Sequence, residues 1–140
     1  MLNNELCLSF NYKPIEYKQI KQGDGKPIDK KTQRYEALCL ATEADKSICD
    51  VYVRLGEKQR CFTDKIVWDS DVLMTITANC TIMRGAERTY ISNQDIISAS
   101  TFPQDYDFGG ENVAFICGMS VPPIMIKRIV TRLIENGVFE

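Results

Sequence analysis

The stretch from Pro122 to Gly137 limits the fold most. Proline lacks an amide donor and fixes φ, so Pro122-Pro123 can open a helix but not sit inside one. Beyond them Ile126, Ile129, Val130, Leu133 and Ile134 recur at i, i+3, i+4, i+7 and i+8, one apolar face of a helix. Lys127, Arg128 and Arg132 take other positions, and Gly137 is placed as a terminator. A helix patterned this way needs a surface to bury its stripe against.

Other elements are signalled more briefly. Ser92-Asn-Gln-Asp95 has capping-box spacing and predicts a helix that must stop before Phe102-Pro103, because the residue before proline avoids the helical region. Ser47 with Asp50 predicts a second, shorter capped helix, and 30–41 a third carrying Tyr35, Leu38 and Cys39. Branched and aromatic runs predict strands at 6–10, 66–68, 73–78, 81–83 and 112–117. Gln22-Gly-Asp-Gly-Lys-Pro27 and Gly109-Gly110 read as turns. The expected fold is α+β: a small, mostly antiparallel sheet with irregular loops and two C-terminal helices.

In 140 residues, 44% hydrophobic and 26% charged, one globular domain is expected. No uninterrupted run of eighteen apolar residues predicts a membrane span, and no basic–apolar leader is seen, so cytoplasm is the expected location. Histidine is absent, and the six cysteines are scattered without a C-x-x-C pair. That argues against a Cys/His zinc site and against a Cys–His or Ser–His nucleophile pair within this chain. The cysteines are expected to be reduced and mostly buried. Net charge is −2, unlike a general nucleic-acid binder, yet residues 13–34 carry a local excess of four positive charges that includes Lys18, Lys21 and Lys26.

Three segments, in order, resemble the end of DNA (cytosine-5) methyltransferases. Val72-Leu-Met-Thr-Ile-Thr-Ala78 resembles the Thr-Ile-Thr stretch that closes the family's target-recognition region. Arg88 to Phe108, a capped helix running into Phe-Pro-Gln-Asp-Tyr, resembles the ninth motif. Cys117-Gly-Met-Ser-Val-Pro-Pro123 with its helix resembles the tenth. The chain departs from the family at Met119, where the motif has asparagine, at Ser98, where it has arginine, and at Gln94-Asp95, where it has an Arg-Glu pair.

The resemblance implies a target-recognition region over 1–90 and a C-terminal segment over 91–140, with the large catalytic domain absent. It also implies the family's chemistry: a flipped cytosine in duplex DNA, a covalent thiolate, and methyl transfer from S-adenosylmethionine to C5, as in restriction–modification systems. The family's thiolate lies in a Pro-Cys loop, and no Pro-Cys dipeptide occurs here. The expectation is therefore no catalytic residue, no methyl transfer by this chain alone, and no cofactor held by it alone. Gly118, Met119, Ser120 and Val121 would line the cofactor pocket of the complete enzyme. Thr75, Arg84, Arg88, Lys18, Lys21 and Lys26 would contact DNA, by phosphate positioning or base edges. Expected partners are double-stranded DNA, the missing large domain, and a second copy through the exposed stripe, with no membrane. Glu111-Asn112-Val113 spells the tripeptide of the family's catalytic glutamate but stands between the ninth and tenth motifs, the wrong place for it. The alternative is a non-enzymatic interaction module that keeps the fold and lacks the chemistry.

Overall fold

Alternation along two short strands organises the molecule. In the computed structural model, which describes residues 10–57, 64–79 and 81–138, β1 (Asp64–Val67) pairs in parallel with β2 (Thr81–Arg84), Ile66 opposite Met83 and Val67 opposite Arg84. Neighbouring side chains on a strand point to opposite faces. Ile66 and Met83 therefore enter one core, with Ile28, Ala37, Leu38, Ile48 and Val51. Val67 and Ile82 enter another, with Tyr17. With both faces covered, β1 and β2 are shielded as a parallel pair requires. Each large apolar side chain buried here stabilises the fold by about 1.5–3 kcal/mol.

The first core is closed by α2 (Gln33–Leu40) and α3 (Ile48–Arg54). Thr32 caps α2 by accepting from the Tyr35 amide, and Ser47 caps α3 by accepting from the Asp50 amide. The Asp50 carboxylate accepts from the Lys46 amide, one residue before the position a full capping box uses. The second face is covered by α1 (Tyr17–Ile20) and the segment 73–76. The two-residue strand β3 (Thr89–Tyr90) pairs antiparallel with β2. Then follow α4 (Asn93–Ala99), α5 (Val113–Met119) and α6 (Pro123–Glu135).

The α+β class is as expected, but the sheet is mixed, and its longer pairing is the parallel one. Residues 73–78, expected as a strand, are the reason. They alternate in burial, Met74 and Ile76 inward and Thr75 and Thr77 outward, yet lie outside the ladder. They belong to the crossover that joins two parallel strands, which a tight hairpin turn cannot do. The expected strand at 112–117 is helical: Asn112 caps α5 by accepting from the Phe115 amide, and Cys117 is buried. A short apolar run does not reveal its own period. Three C-terminal helices thus stand where two were expected. The expected strand at 6–10 lies outside the described residues except Phe10, which is not in a strand.

Of the cysteines described, only Cys117 is buried; Cys39 is exposed and Cys49 half-buried. Cys7, Cys61 and Cys80 lie outside the described residues. By length and composition alone Val113–Glu135 is apolar enough to cross a membrane, which the reading of uninterrupted runs did not register. The stretch is divided into α5 and α6 by extended backbone at Ser120 and Pro122.

Candidate nucleic-acid interface

Arg84 ends β2 on the face opposite Met83, and the chain brings acceptors to it from two distant segments. Its Nη2 donates to Asp95 Oδ2 at 2.6 Å and to the carbonyls of Gln22 and Gly23 at 3.0 and 3.1 Å. Its Nε donates to the Tyr17 hydroxyl at 2.8 Å, and that hydroxyl donates to Asp95 at 2.6 Å. Asp95 completes the capping box of α4 through the Ser92 amide and also accepts from the Gln22 amide at 2.6 Å. Both charged side chains are buried. Burial raises the Asp95 pKa, but the hydrogen bonds from Gln22, Tyr17, Arg84 and Ser92 outweigh it and hold the carboxyl below its usual range. Burial, with Asp95 beside it, pushes the Tyr17 phenol well above its ordinary value.

This overturns one expected contact. Arg84 is buried and committed to protein acceptors, so it cannot reach a phosphate. The acidic residue at the family's Arg-Glu position instead ties α4 to residues 17–23. These buried bonds also cross the boundary drawn at residue 90.

The lysine-rich stretch is partly neutralised by acids from elsewhere in the chain. Lys18 pairs with Glu16 at 2.5 Å. Lys21 is bonded to Asp69 at 2.7 Å and also to Glu87, and is largely covered. Its burial lowers the pKa, but the two carboxylates more than restore it. Arg34 pairs with Asp64 at 2.8 Å. Lys26 and Arg88 remain exposed, and the Pro27–Thr89 bridge brings their segments side by side. Arg88 holds a positive φ of 56° in the turn between β2 and β3. Lys13, Lys30 and Lys31 are also exposed.

Segments 72–78, α4 and 117–122 converge around a cavity of about 290 Å³, lined by Thr75, Ser100, Cys117, Gly118 and Ser120 among others. Gly118 is the tightest point: a Cβ there would stand 2.5 Å from the Ala78 amide nitrogen and 2.6 Å from the Thr77 carbonyl carbon, both backbone. Thr75 is exposed beside it. The Ser120 hydroxyl donates to the Ile116 carbonyl at 2.6 Å, back into α5. Met119 is 70% and Val121 53% exposed, and neither lines the cavity. No charged side chain among the described residues lines it to meet the ammonium, carboxylate or sulfonium of S-adenosylmethionine. These residues make one wall of that cavity. Glu111-Asn112-Val113 is the start of α5, with Asn112 as its cap, which accounts for the tripeptide structurally.

Sequence reading missed Tyr17 and Gln22 as members of the buried network, since both lie more than sixty residues from their partners. It also missed Ser100 in the cavity, although the capped helix that carries Ser100 was foreseen. No family model, curated protein or solved structure matches the chain. The methyltransferase resemblance therefore rests on the three segments themselves.

Proposed function

We propose that the chain is the DNA-recognition and C-terminal part of a DNA (cytosine-5) methyltransferase, completed by a separate large domain that brings the thiolate and most of the cofactor site. One observation carries this reading. The first and third of the segments that bear the resemblance meet backbone to backbone at Gly118, and the end of the second, Ala99 and Ser100, joins them in lining one cavity. In this reading Thr75 stands at the rim toward the DNA backbone, while Lys26 and Arg88 supply phosphate contacts. Lys18 and Lys21 contribute less, because carboxylates already hold them. The wall formed by residues 117–122 closes the cofactor pocket only when the large domain supplies the other walls.

The test is a titration of the chain with several duplex DNAs at low ionic strength. Weak binding is expected, its affinity falling with salt as on the order of two to four phosphate contacts dictate. Joint replacement of Lys26 and Arg88 by alanine should flatten that slope on every duplex, and Thr75→Ala should weaken binding by about 1 kcal/mol. Labelled S-adenosylmethionine should leave the DNA unlabelled when this chain is alone. A second reading, a non-enzymatic interaction module, is favoured by α6, which buries no residue among those described. Absence of any complex at low salt on unrelated duplexes selects that reading.

A further inference from the structure

Arg34, Arg54 and Arg84 each bond an aspartate, at 2.8, 2.8 and 2.6 Å. Arg128 instead lies over the Tyr12 ring, 3.6 Å from its centroid, with no acceptor among the described residues. At that distance guanidinium and ring are face to face, because an edge-on approach would drive a nitrogen into the ring. Its N–H donors therefore point sideways, past the ring's edge. Arg132 stands 5.9 Å over the Phe10 ring and reaches Glu135 only at 3.7 Å. The two rings are near-parallel, 17° apart, with centroids 6.4 Å from one another. The Tyr12–Arg128 pair borders two cavities. One, of about 340 Å³, is also lined by Phe10, Lys127, Arg132 and Glu135. The other, of about 320 Å³, is also lined by Lys13, Ile15 and Leu73, and by no acid among the described residues. Four cations thus surround the pair against one carboxylate, in a chain whose net charge is −2.

We propose that this surface binds single-stranded nucleic acid, with an internal phosphate on Arg128 and one nucleoside in each of the two cavities. A planar guanidinium already held by stacking offers a phosphate two parallel N–H bonds with little left to order. Lys127 and Arg132 meet the next phosphate on one side of it, and Lys13 on the other. Phe10 and Tyr12 in the first cavity, and Ile15 and Leu73 in the second, give the bases apolar area. Stacking of this kind is tolerant of sequence, because every base has a π-face. Glu135 accepts from a base amine or a sugar hydroxyl. A duplex would match the cations but keeps its bases inside the stack, away from a side-chain ring. An acidic peptide would match them too, but brings no flat group to the rings. The inference goes beyond the duplex contacts proposed above: it uses neither Lys26 nor Arg88, and it needs no cofactor and no second domain.

Titration of the full chain into a labelled oligothymidylate of about eight nucleotides, at low ionic strength, tests it by fluorescence anisotropy. A dissociation constant on the order of 10–100 μM is expected, rising with salt. The dinucleoside monophosphate TpT should compete better than thymidine 5′-monophosphate although it carries less charge, since it alone fills both cavities. Tyr12→Ala should weaken binding about fivefold or more, and Tyr12→Phe should leave it nearly unchanged, as stacking requires. Arg128→Ala should weaken it about tenfold or more, and Arg128→Lys, which keeps the charge and loses the fork, should fall between. Both side chains are exposed, so circular dichroism should be unchanged. Should either alanine variant unfold, the conservative pair decides: Arg128→Lys must weaken binding and Tyr12→Phe must not. Joint replacement of Lys26 and Arg88 should leave single-strand binding intact, so that failure of the duplex reading and failure of this one are told apart. The proposal is overturned by no complex up to about 300 μM protein, by binding indifferent to Tyr12→Ala and Arg128→Ala, by thymidine monophosphate that competes as well as TpT, or by polyglutamate that competes as well as the oligonucleotide.

Discussion

Arg84 and Arg128 are two arginines in opposite settings. Arg84 is buried, with donors spread over a carboxylate, a phenol and two carbonyls from two segments, residues 17–23 and α4. Arg128 lies over one exposed ring on a helix that buries nothing. The first setting is over-determined: moving any member of the Arg84–Asp95–Tyr17 group leaves another buried polar group unpaired. The second is less determined, because no residue of α6 is fully buried and only Ile129 and Leu133 of its apolar row are half-buried. Stability should therefore be concentrated around Asp95 and nearly absent from α6. The sharpest way to break that contrast is Asp95→Ala. It removes the carboxylate that faces the buried Arg84 and orphans the Gln22 and Ser92 amides. Loss of one partner of a buried pair costs about 3–5 kcal/mol, which urea denaturation reads directly. A loss under about 1 kcal/mol would mean that water reaches Arg84 and that the two arginines are not so different.

Gly118 is the next most sensitive position. It lies between the two regions, where α5 meets residues 77–78. Alanine there drives a methyl onto backbone atoms at 2.5 and 2.6 Å, and backbone yields less readily than a side chain. Overpacking of this kind costs about 1–3 kcal/mol. Gly118→Ala should lower the unfolding midpoint and, if residues 72–78 are part of a DNA surface, weaken DNA binding beyond the loss in stability. An unchanged midpoint would show that α5 can swing away from residues 77–78.

The same contrast explains what the sequence revealed. Local signals held: Ser92 with Asp95, Ser47 under Asp50, and Pro122-Pro123 with Gly137 all define helix ends where they were read. At Gly137, φ is 67° and the Val138 amide bonds back to the Leu133 carbonyl, a helix stop that glycine favours. Long-range pairing was not legible. Nothing local in Tyr17 or Arg84 announces the other, so Arg84 read as a surface cation. Lys21 read as available because its partners, Asp69 and Glu87, lie far onward in the chain. The run 112–117 was too short to show its period, and 73–78 has strand alternation but lies outside the three-stranded ladder. Of the candidate site, the three segments were legible as pieces. The approach of residues 77–78 to Gly118 was not, because close approach of backbone is a tertiary property.

Asp45 offers a milder probe on the buried side of the comparison. Arg54 bonds it at 2.8 Å; burial opposes ionisation, while the Thr42 amide and hydroxyl add to the pull of Arg54 and bring its pKa down to about 2 from 3.8. A carboxylate whose folded pKa is depressed contributes stability that is fully present above its unfolded pKa and is lost as pH falls through the folded value. The window here runs from about pH 4 down to about pH 2. Asp45→Asn should cost about 1–2 kcal/mol at pH 7, and the gap from wild type should narrow as the medium is acidified through that window. Urea midpoints at about pH 7, 4 and 2.5 measure it. A gap that stays constant would assign the cost to packing and not to charge. Asp95, whose carboxyl is also depressed, should leave the Asp45→Asn variant with acid sensitivity of the same sign.

The smallest effect is expected at the other pole. Val130→Ser and Ile134→Ser delete large apolar side chains, a change that in a core would cost several kcal/mol through lost transfer energy and a cavity. On α6 there is no cavity to make, since both side chains are about half exposed and no part of the helix is buried. Serine is somewhat less favourable than valine or isoleucine only in the packing it gives up, and their helix propensities are close. Each change should therefore shift stability by no more than about 0.5 kcal/mol at concentrations where the chain is monomeric. For comparison, Ile66→Ala, in the core between the sheet and α2, should cost about 2–5 kcal/mol. Measured side by side at low protein concentration, the two sets give the ratio that the structure requires. If the α6 variants approach the Ile66 value, the helix is anchored to the body after all and its outward face is not free for a partner. If they stay small in the monomer and grow as concentration rises, the apolar row is stabilised by association, and the weakly held limb gains its order from a second chain.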